Sequence, residues 1–212
     1  VRILRVARFA ARFGFAVADE TLALMRHMVE VGEADALVPE RVWQEFAKGL
    51  MEPRPQRMFE VLAACNVLAR LLPELHLAFD ASGREPLNVP TRRVMGGLRH
   101  AVRRGLPFEA RFALLAFALR APADMEALAA RLRVPTECRD AALLAARQGS
   151  AIATVAAASP AKQLLLLEAA DAFRRPERLQ VLLAVCECAD AGEGDEVAAP
   201  YAPRVVLERA LA

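Results

Sequence analysis

Apolar residues return every three or four positions along almost the whole of this chain, and no segment alternates apolar and polar residues over the length of a strand. A chain patterned this way buries its apolar surface by packing helix on helix, and the predicted fold class is all-α. Helix punctuation supports it. Gly14 stops a first helix, Asp19 caps a second that ends near Gly32, and Pro39 opens a third over Glu40–Lys48 closed by Gly49. A fourth covers Met58–Leu72 and is stopped by Pro73. The stretch Asp80–Thr91, with Ser82-Gly83, Pro86, Asn88 and Pro90, reads as loop and is the expected domain boundary. Beyond it, helices are predicted near 91–103, 108–120, 123–132, 136–148, 159–173, 176–189 and 201–212, with Thr136 and Ser159 as caps and a turn following Asp190. No tandem repeat is evident.

With 212 residues, 56% of them apolar, the chain can bury a substantial core in one large domain or two small ones. The net charge of +2 excludes a polycation. Lys48 and Lys162 are the only lysines; the remaining 26 of 28 basic residues are arginines, whose planar fork pairs with phosphates and base edges in a way an ammonium cannot. A GC-rich genome gives the same bias without any function. No run reaches the ~20 apolar residues of a membrane span, and the expected setting is cytoplasmic, with no membrane partner. Cys65, Cys138, Cys186 and Cys188 lie in apolar helical runs, as buried reduced thiols do, and no metal site is expected from them.

The first fifteen residues, Val-Arg-Ile-Leu-Arg-Val-Ala-Arg-Phe-Ala-Ala-Arg-Phe-Gly-Phe, concentrate the functional signal. On a helix, Arg2, Arg5, Arg8 and Arg12 fall within an arc of roughly 120°, beside an apolar face expected to comprise Ile3, Val6, Ala7, Ala10 and Phe13. No acid occurs between Val1 and Val17, so this row of cations wants an anionic or hydrogen-bond-accepting partner, a solvated face being the alternative. In Glu40-Arg-Val-Trp-Gln-Glu45, Glu40 complements a helix start, Arg41 and Glu45 stand four apart and can pair, and Trp43 is expected in the core. His27, His76 and His100 stand apart from any ligand or triad partner, no Gly-rich phosphate loop is present, and no Asp-x-Asp pair follows a strand-like segment.

Taken together, these segments resemble the bacterial CCA-adding enzymes, class II tRNA nucleotidyltransferases that share a superfamily with bacterial poly(A) polymerases. Residues 1–15 resemble the family's neck helix, which reads Glu-Asp-x-x-Arg, then a second Arg and a Phe-Ala-x-Arg-Phe-Gly-Phe type ending. Ala18–Leu22, Leu37–Glu45, Leu132–Pro135 and Phe173–Leu179 resemble the segments that follow. The resemblance implies a neck or RNA-binding domain over 1–75 with a nucleotide-template helix, a linker over 76–90, and a helical body and tail over 91–212. It implies that Arg2 and Arg5 bind the incoming CTP or ATP, while Glu40, Arg41 and Glu45 hold the helices that place them. The acceptor arm of tRNA is the implied partner. Arg92, Arg93, Arg99, Arg103 and Arg104, the densest later basic cluster, are the candidate backbone contacts, a solvated face being the alternative.

The Glu-Asp pair of that motif does not precede Val1 here, and neither does a nucleotidyltransferase head with metal-binding aspartates. The expectation is therefore that the head domain is a further partner, that Mg²⁺ belongs to the longer parent and not to this chain, and that this chain alone is inactive. Relatives with a metal-dependent HD phosphohydrolase in this region carry a Cys-His-Asp-Leu-Gly-Lys-Gly motif. The equivalent stretch, Arg111–Arg120, places Phe117 and Ala118 where His and Asp would ligate the ion, so a degenerate HD-like domain without that activity is expected. The competing expectations are a poly(A) polymerase fragment and a stand-alone helical RNA-binding or scaffolding module.

Overall fold

A computed structural model describes residues 1–76, 89–191 and 200–211, and all regular structure among them is helical, in line with the all-α expectation. α1 (Arg2–Phe13) ends where Gly14 turns left-handed at φ 74° and returns its N–H to the Ala10 carbonyl. α2 (Asp19–Glu30) begins after Ala18, so Asp19 sits in the first turn rather than in the capping position. α3 (Pro39–Met51) runs through Gly49 instead of stopping there. Its glycine serves packing: a Cβ at that position would collide with the thioether of Met58 on α4 (Pro55–Ala64).

The helix predicted over 58–72 is divided. α4 gives way at Cys65, Asn66 takes φ 61°, and α5 (Val67–Leu71) and α6 (Pro73–His76) follow at a new angle. Asn tolerates the left-handed conformation better than most side chains, and the turn carries Val67 and Leu68 inward, a choice that apolar spacing alone does not reveal. α3 and α4 meet at Phe46 and Phe59, fully buried and edge-to-face with centroids 5.7 Å apart.

In the second half, α7 (Val89–Arg103), α8 (Phe108–Ala113), α9 (Pro122–Leu132), α10 (Thr136–Thr154), α11 (Pro160–Ala169), α12 (Pro176–Ala191) and α13 (Ala202–Leu211) pack around α10 and α12. Residues 114–118 tighten into a 3₁₀ turn, shortening the helix predicted over 108–120; four of the five are buried on a segment apolar all round. Pro135, not Thr136, occupies the cap of α10, and that helix passes Gly149, whose missing Cβ leaves room for the Phe117 ring. Most of the expected 76–90 linker, and the Gly192–Glu196 turn, lie outside the described residues. α7 begins two residues before the predicted loop ends.

The residues before and after the expected boundary share one connected hydrophobic core. Trp43 of α3 packs edge-to-face on Phe108 and Phe112 of α8, with centroids at 5.4 and 5.3 Å. Beneath them lies Arg111, 5% exposed, which donates from Nη1 to the Leu50 carbonyl at 3.2 Å and from Nε to the Leu106 carbonyl at 2.9 Å. Its guanidinium thus caps the last turn of α3 from α8. Arg131 of α9 does the same to the Leu71 carbonyl while pairing with Glu74, and Arg133 pairs with Glu40. Arg111→Met should therefore leave one buried and one partly buried carbonyl without their donor and cost about 2–4 kcal/mol, read as a lower urea midpoint at unchanged slope.

Candidate functional site

α1 lies on α3 and α4 through Ile3, Leu4, Ala7, Ala10 and Ala11, with the three alanines fully buried. Small side chains let the helices approach closely, and they fix the rotation of α1. The arginine arc then lies about 160° from the centre of the buried face. Arg2, Arg5 and Arg12 are exposed, as the sequence predicts for a cationic stripe. Phe13 departs from the predicted apolar face: it projects about 120° from the buried centre and is 64% exposed, while Leu4 and Ala11 take the inward positions.

The row of cations is not entirely unpaired. Glu45, 7% exposed, reaches across from α3 to α1: Oε1 lies 3.7 Å from Nε of Arg5, and Oε2 lies 2.9 Å from Nε of Arg8. The Arg8–Glu45 approach is a charge contact without hydrogen-bond alignment. Arg8 also lies 3.7 Å from Glu52 and is largely covered, whereas Arg5 keeps 61% of its side chain exposed. The expected Arg41–Glu45 pair gives way to these cross-helix contacts, because Glu45 faces α1 and Arg41 faces solvent. Glu40 meets Arg133, the residue that follows α9, instead. The structure thus leaves Arg2 and Arg5 in the open and places Glu45 beside Arg5 and Arg8.

The later basic cluster is divided. Arg92 is exposed; Arg93 pairs with Asp190 and stacks its guanidinium 4.4 Å over Phe117; Arg104 pairs with Glu187 at 2.9 Å. Arg103 contacts Nδ1 of His100, and Arg99 is half-buried with partners of its own. α12 supplies the balancing carboxylates, and α13 reinforces them. Arg204 reaches Glu187 at 3.1 Å, and the Tyr201 hydroxyl donates to Asp190 at 2.8 Å. Burial opposes ionisation of Glu187, yet hydrogen bonds and charge from Arg104 and Arg204 outweigh it and hold the carboxyl below its ordinary range. Burial, with Arg103 and Arg104 nearby, lowers the His100 pKa. Arg93 of α7 and Arg104 just beyond it are thus tied to α12.

Sequence reasoning missed Arg54 and Arg57, which stand at the C-terminal end of α1. The Arg54 guanidinium fills the space a Cβ would take at Gly14, and Arg57 donates from Nη2 to the Phe15 carbonyl at 3.1 Å. The run Pro53-Arg-Pro-Gln-Arg57 offers no periodic signal, since only the α1–α4 packing brings it there. Burial raises all four thiols, Cys186 to about 12 and Cys188 to about 11, which keeps them protonated and unreactive. Among the described residues no three His, Cys, Asp or Glu side chains converge where an ion could sit, and no helix is long and apolar enough to cross a membrane. A cleft of about 450 Å³ between α8, α10 and α12 carries Glu109, Glu137, Asp140 and Glu177 against Arg175 and Arg178, a balance that disfavours a polyphosphate.

Residues 14–79 match the family described as the probable RNA and SrmB-binding site of polymerase A. Over 90% of its length this chain is 48% identical to the multifunctional CCA protein of Methylobacillus flagellatus, covering 52% of that protein. Over its full length it is 45% identical to the multifunctional CCA protein of Burkholderia cenocepacia, covering 57%. The chain thus spans about half the length of the curated relatives it matches. A solved structure described as the complex of a CCA-adding enzyme with CTP superposes on 99% of this chain and 46% of its own with a TM-score of 0.56; at 17% identity, that likeness is one of fold.

The position of Glu45 makes one outcome measurable. Glu45→Gln keeps the shape but removes the charge between Arg5 and Arg8, and should lower stability by about 1–3 kcal/mol in urea titration. Arg41→Gln, facing solvent, should change it by less than about 0.5 kcal/mol.

Proposed function

We propose, on the premise that this chain is a relative of the multifunctional CCA proteins, that it forms the nucleotide-reading and tRNA-holding portion of an enzyme that adds or repairs the 3′-terminal CCA of tRNA from CTP and ATP. The observation that carries this reading is the exposed Arg2 and Arg5 on an acid-free helix, with the buried Glu45 on one flank of Arg5. Bracing matters chemically. A guanidinium fork selects a base edge only if its donors are held in direction, and a carboxylate on one flank limits the orientations open to Arg5. Cytosine offers the carbonyl and ring-nitrogen acceptors that suit such donors, and a small rearrangement serves adenine. In this reading residues 1–75 are the neck, and residues 91–212 are the body and tail that support it. The tRNA acceptor arm is held by shape and phosphates, with exposed Arg92 a better candidate for a backbone contact than the tied Arg93 and Arg104.

Phosphoryl transfer needs carboxylates that hold Mg²⁺, and the described residues assemble no such group. In this proposal the head domain supplies that chemistry, and the chain alone is inactive. The HD-like phosphohydrolase is proposed lost as well. Where its His and Asp would stand are Phe117, beneath the Arg93 guanidinium, and the buried Ala118, neither of which has a lone pair to offer an ion. The matched family's description also names polymerase A, so a poly(A) polymerase is the second reading, separated by whether the parent polypeptide adds CCA or an adenylate tail.

In a polypeptide that joins this chain to its nucleotidyl-transferring domain, Arg2→Ala and Arg5→Ala should each raise KM for CTP and ATP about tenfold or more, with far-UV circular dichroism unchanged. Unaltered nucleotide kinetics in both variants would remove these residues from the site. The purified chain, supplied with Ni²⁺ or Mn²⁺, should leave 2′,3′-cyclic nucleotides intact; metal-stimulated release of the monoester would overturn the proposed loss.

A further inference from the structure

The outer surface of α1 carries something that base selection by Arg2 and Arg5 does not use. Of the four exposed phenylalanines among the described residues, three lie within seven positions of one another at its C-terminal end: Phe9 at 38%, Phe13 at 64% and Phe15 at 41% exposure. Phe9 and Phe13 are neighbours one turn apart, with ring centroids 6.1 Å from each other. Each already bears a guanidinium, Arg8 at 4.7 Å from the Phe9 centroid and Arg12 at 5.4 Å from that of Phe13. Each ring is exposed and lies beside one guanidinium, and a ring so polarised is a good stacking surface.

Charge narrows the occupant. α1 holds no acid, Arg12 is exposed beside Phe13, and the fold brings exposed Arg54 to Gly14 and Arg57 to the Phe15 carbonyl. Glu60 pairs with Arg57, and Glu45 and Glu52 stand beside Arg8. An apolar protein partner gains nothing from burying Arg12 and Arg54 without counter-charge. A strand that presents flat π-faces at intervals along a row of phosphates satisfies both features together.

We infer that the C-terminal end of α1 is a stacking platform for single-stranded RNA, with bases on Phe13, Phe9 and Phe15 and phosphates at Arg12 and Arg54. This rests on the proposed RNA-holding role and deepens it, by assigning the unpaired part of the RNA to the end of α1 opposite Arg2 and Arg5, on the same outer side of the helix. Arg57, balanced by Glu60 and bonded to the Phe15 carbonyl, is a positioning residue that holds the turn after Gly14.

The test is fluorescence anisotropy on the whole chain, with a labelled single-stranded oligoribonucleotide of about eight residues and a blunt RNA duplex of about sixteen base pairs as probes. Phe13→Leu keeps an apolar side chain but removes the π-face, and should weaken single-strand binding about 5- to 100-fold while changing duplex binding less than about twofold. Phe13→Trp should restore the single-strand affinity. Arg12→Gln should reduce the slope of log K against log salt for the single strand by about 0.7. Single-strand binding that ignores Phe13→Leu, or an equal loss on both probes, overturns the platform. So does a change in sedimenting mass of the free protein on Phe13→Leu, which would mark the patch as a protein contact. Binding to duplex but not to single strand removes this inference and leaves the proposed function standing; binding to neither removes both.

Discussion

The way α1 lies against α3 and α4 governs what this chain can present to a ligand. Ala7, Ala10 and Ala11 are fully buried at that contact, so the helix axes approach closely and α1 has little freedom to roll. Its rotation decides which arginines face water. Glu45 then fixes the same rotation electrostatically by placing a nearly buried carboxylate between Arg5 and Arg8. Larger side chains at the alanine positions would lift α1 away from Glu45, and the arginines would lose their common orientation. Packing and charge here constrain one degree of freedom of the same helix.

Arginine performs two separable tasks in this molecule. At helix ends it works as a clamp: Arg26 on the Ala64 carbonyl, Arg111 on Leu50 and Arg131 on Leu71 each satisfy an orphan carbonyl where a helix stops. On the outside of α1 and beside Gly14 it remains available to solvent. A reading by composition cannot separate these tasks, because both draw on the same residue type. The α7 cluster shows the difference. Five arginines between positions 92 and 104 look like an RNA-binding stripe, yet Asp190 and Glu187, more than eighty residues later in the chain, meet Arg93 and Arg104 across the α7–α12 contact.

Much of the fold was legible. Periodicity indicated every major helix, Gly14 and Pro39 marked real boundaries, and the cysteines are buried as their neighbours implied. The departures share a cause. Gly49 and Gly149 look like helix stops but are sites of close packing, against Met58 and Phe117. Asn66 looks like an ordinary helical residue but takes the left-handed turn that bends α4 into α5. Local pattern gives the propensity of a segment, whereas the partner that arrives from elsewhere decides whether a glycine ends a helix or accommodates a neighbour.

The helical character of this chain, the acid-free row of arginines on its first helix and its resemblance to known kin all follow from the order of residues along one segment. That Glu45 serves Arg5 and Arg8 rather than Arg41, that Phe13 faces water, and that Arg54 and Arg57 stand beside Gly14 depend on how the helices pack. The physical reason is rotation. Helical spacing fixes the angles between side chains on one helix, but the absolute direction in which they point is set by the close contact with the next.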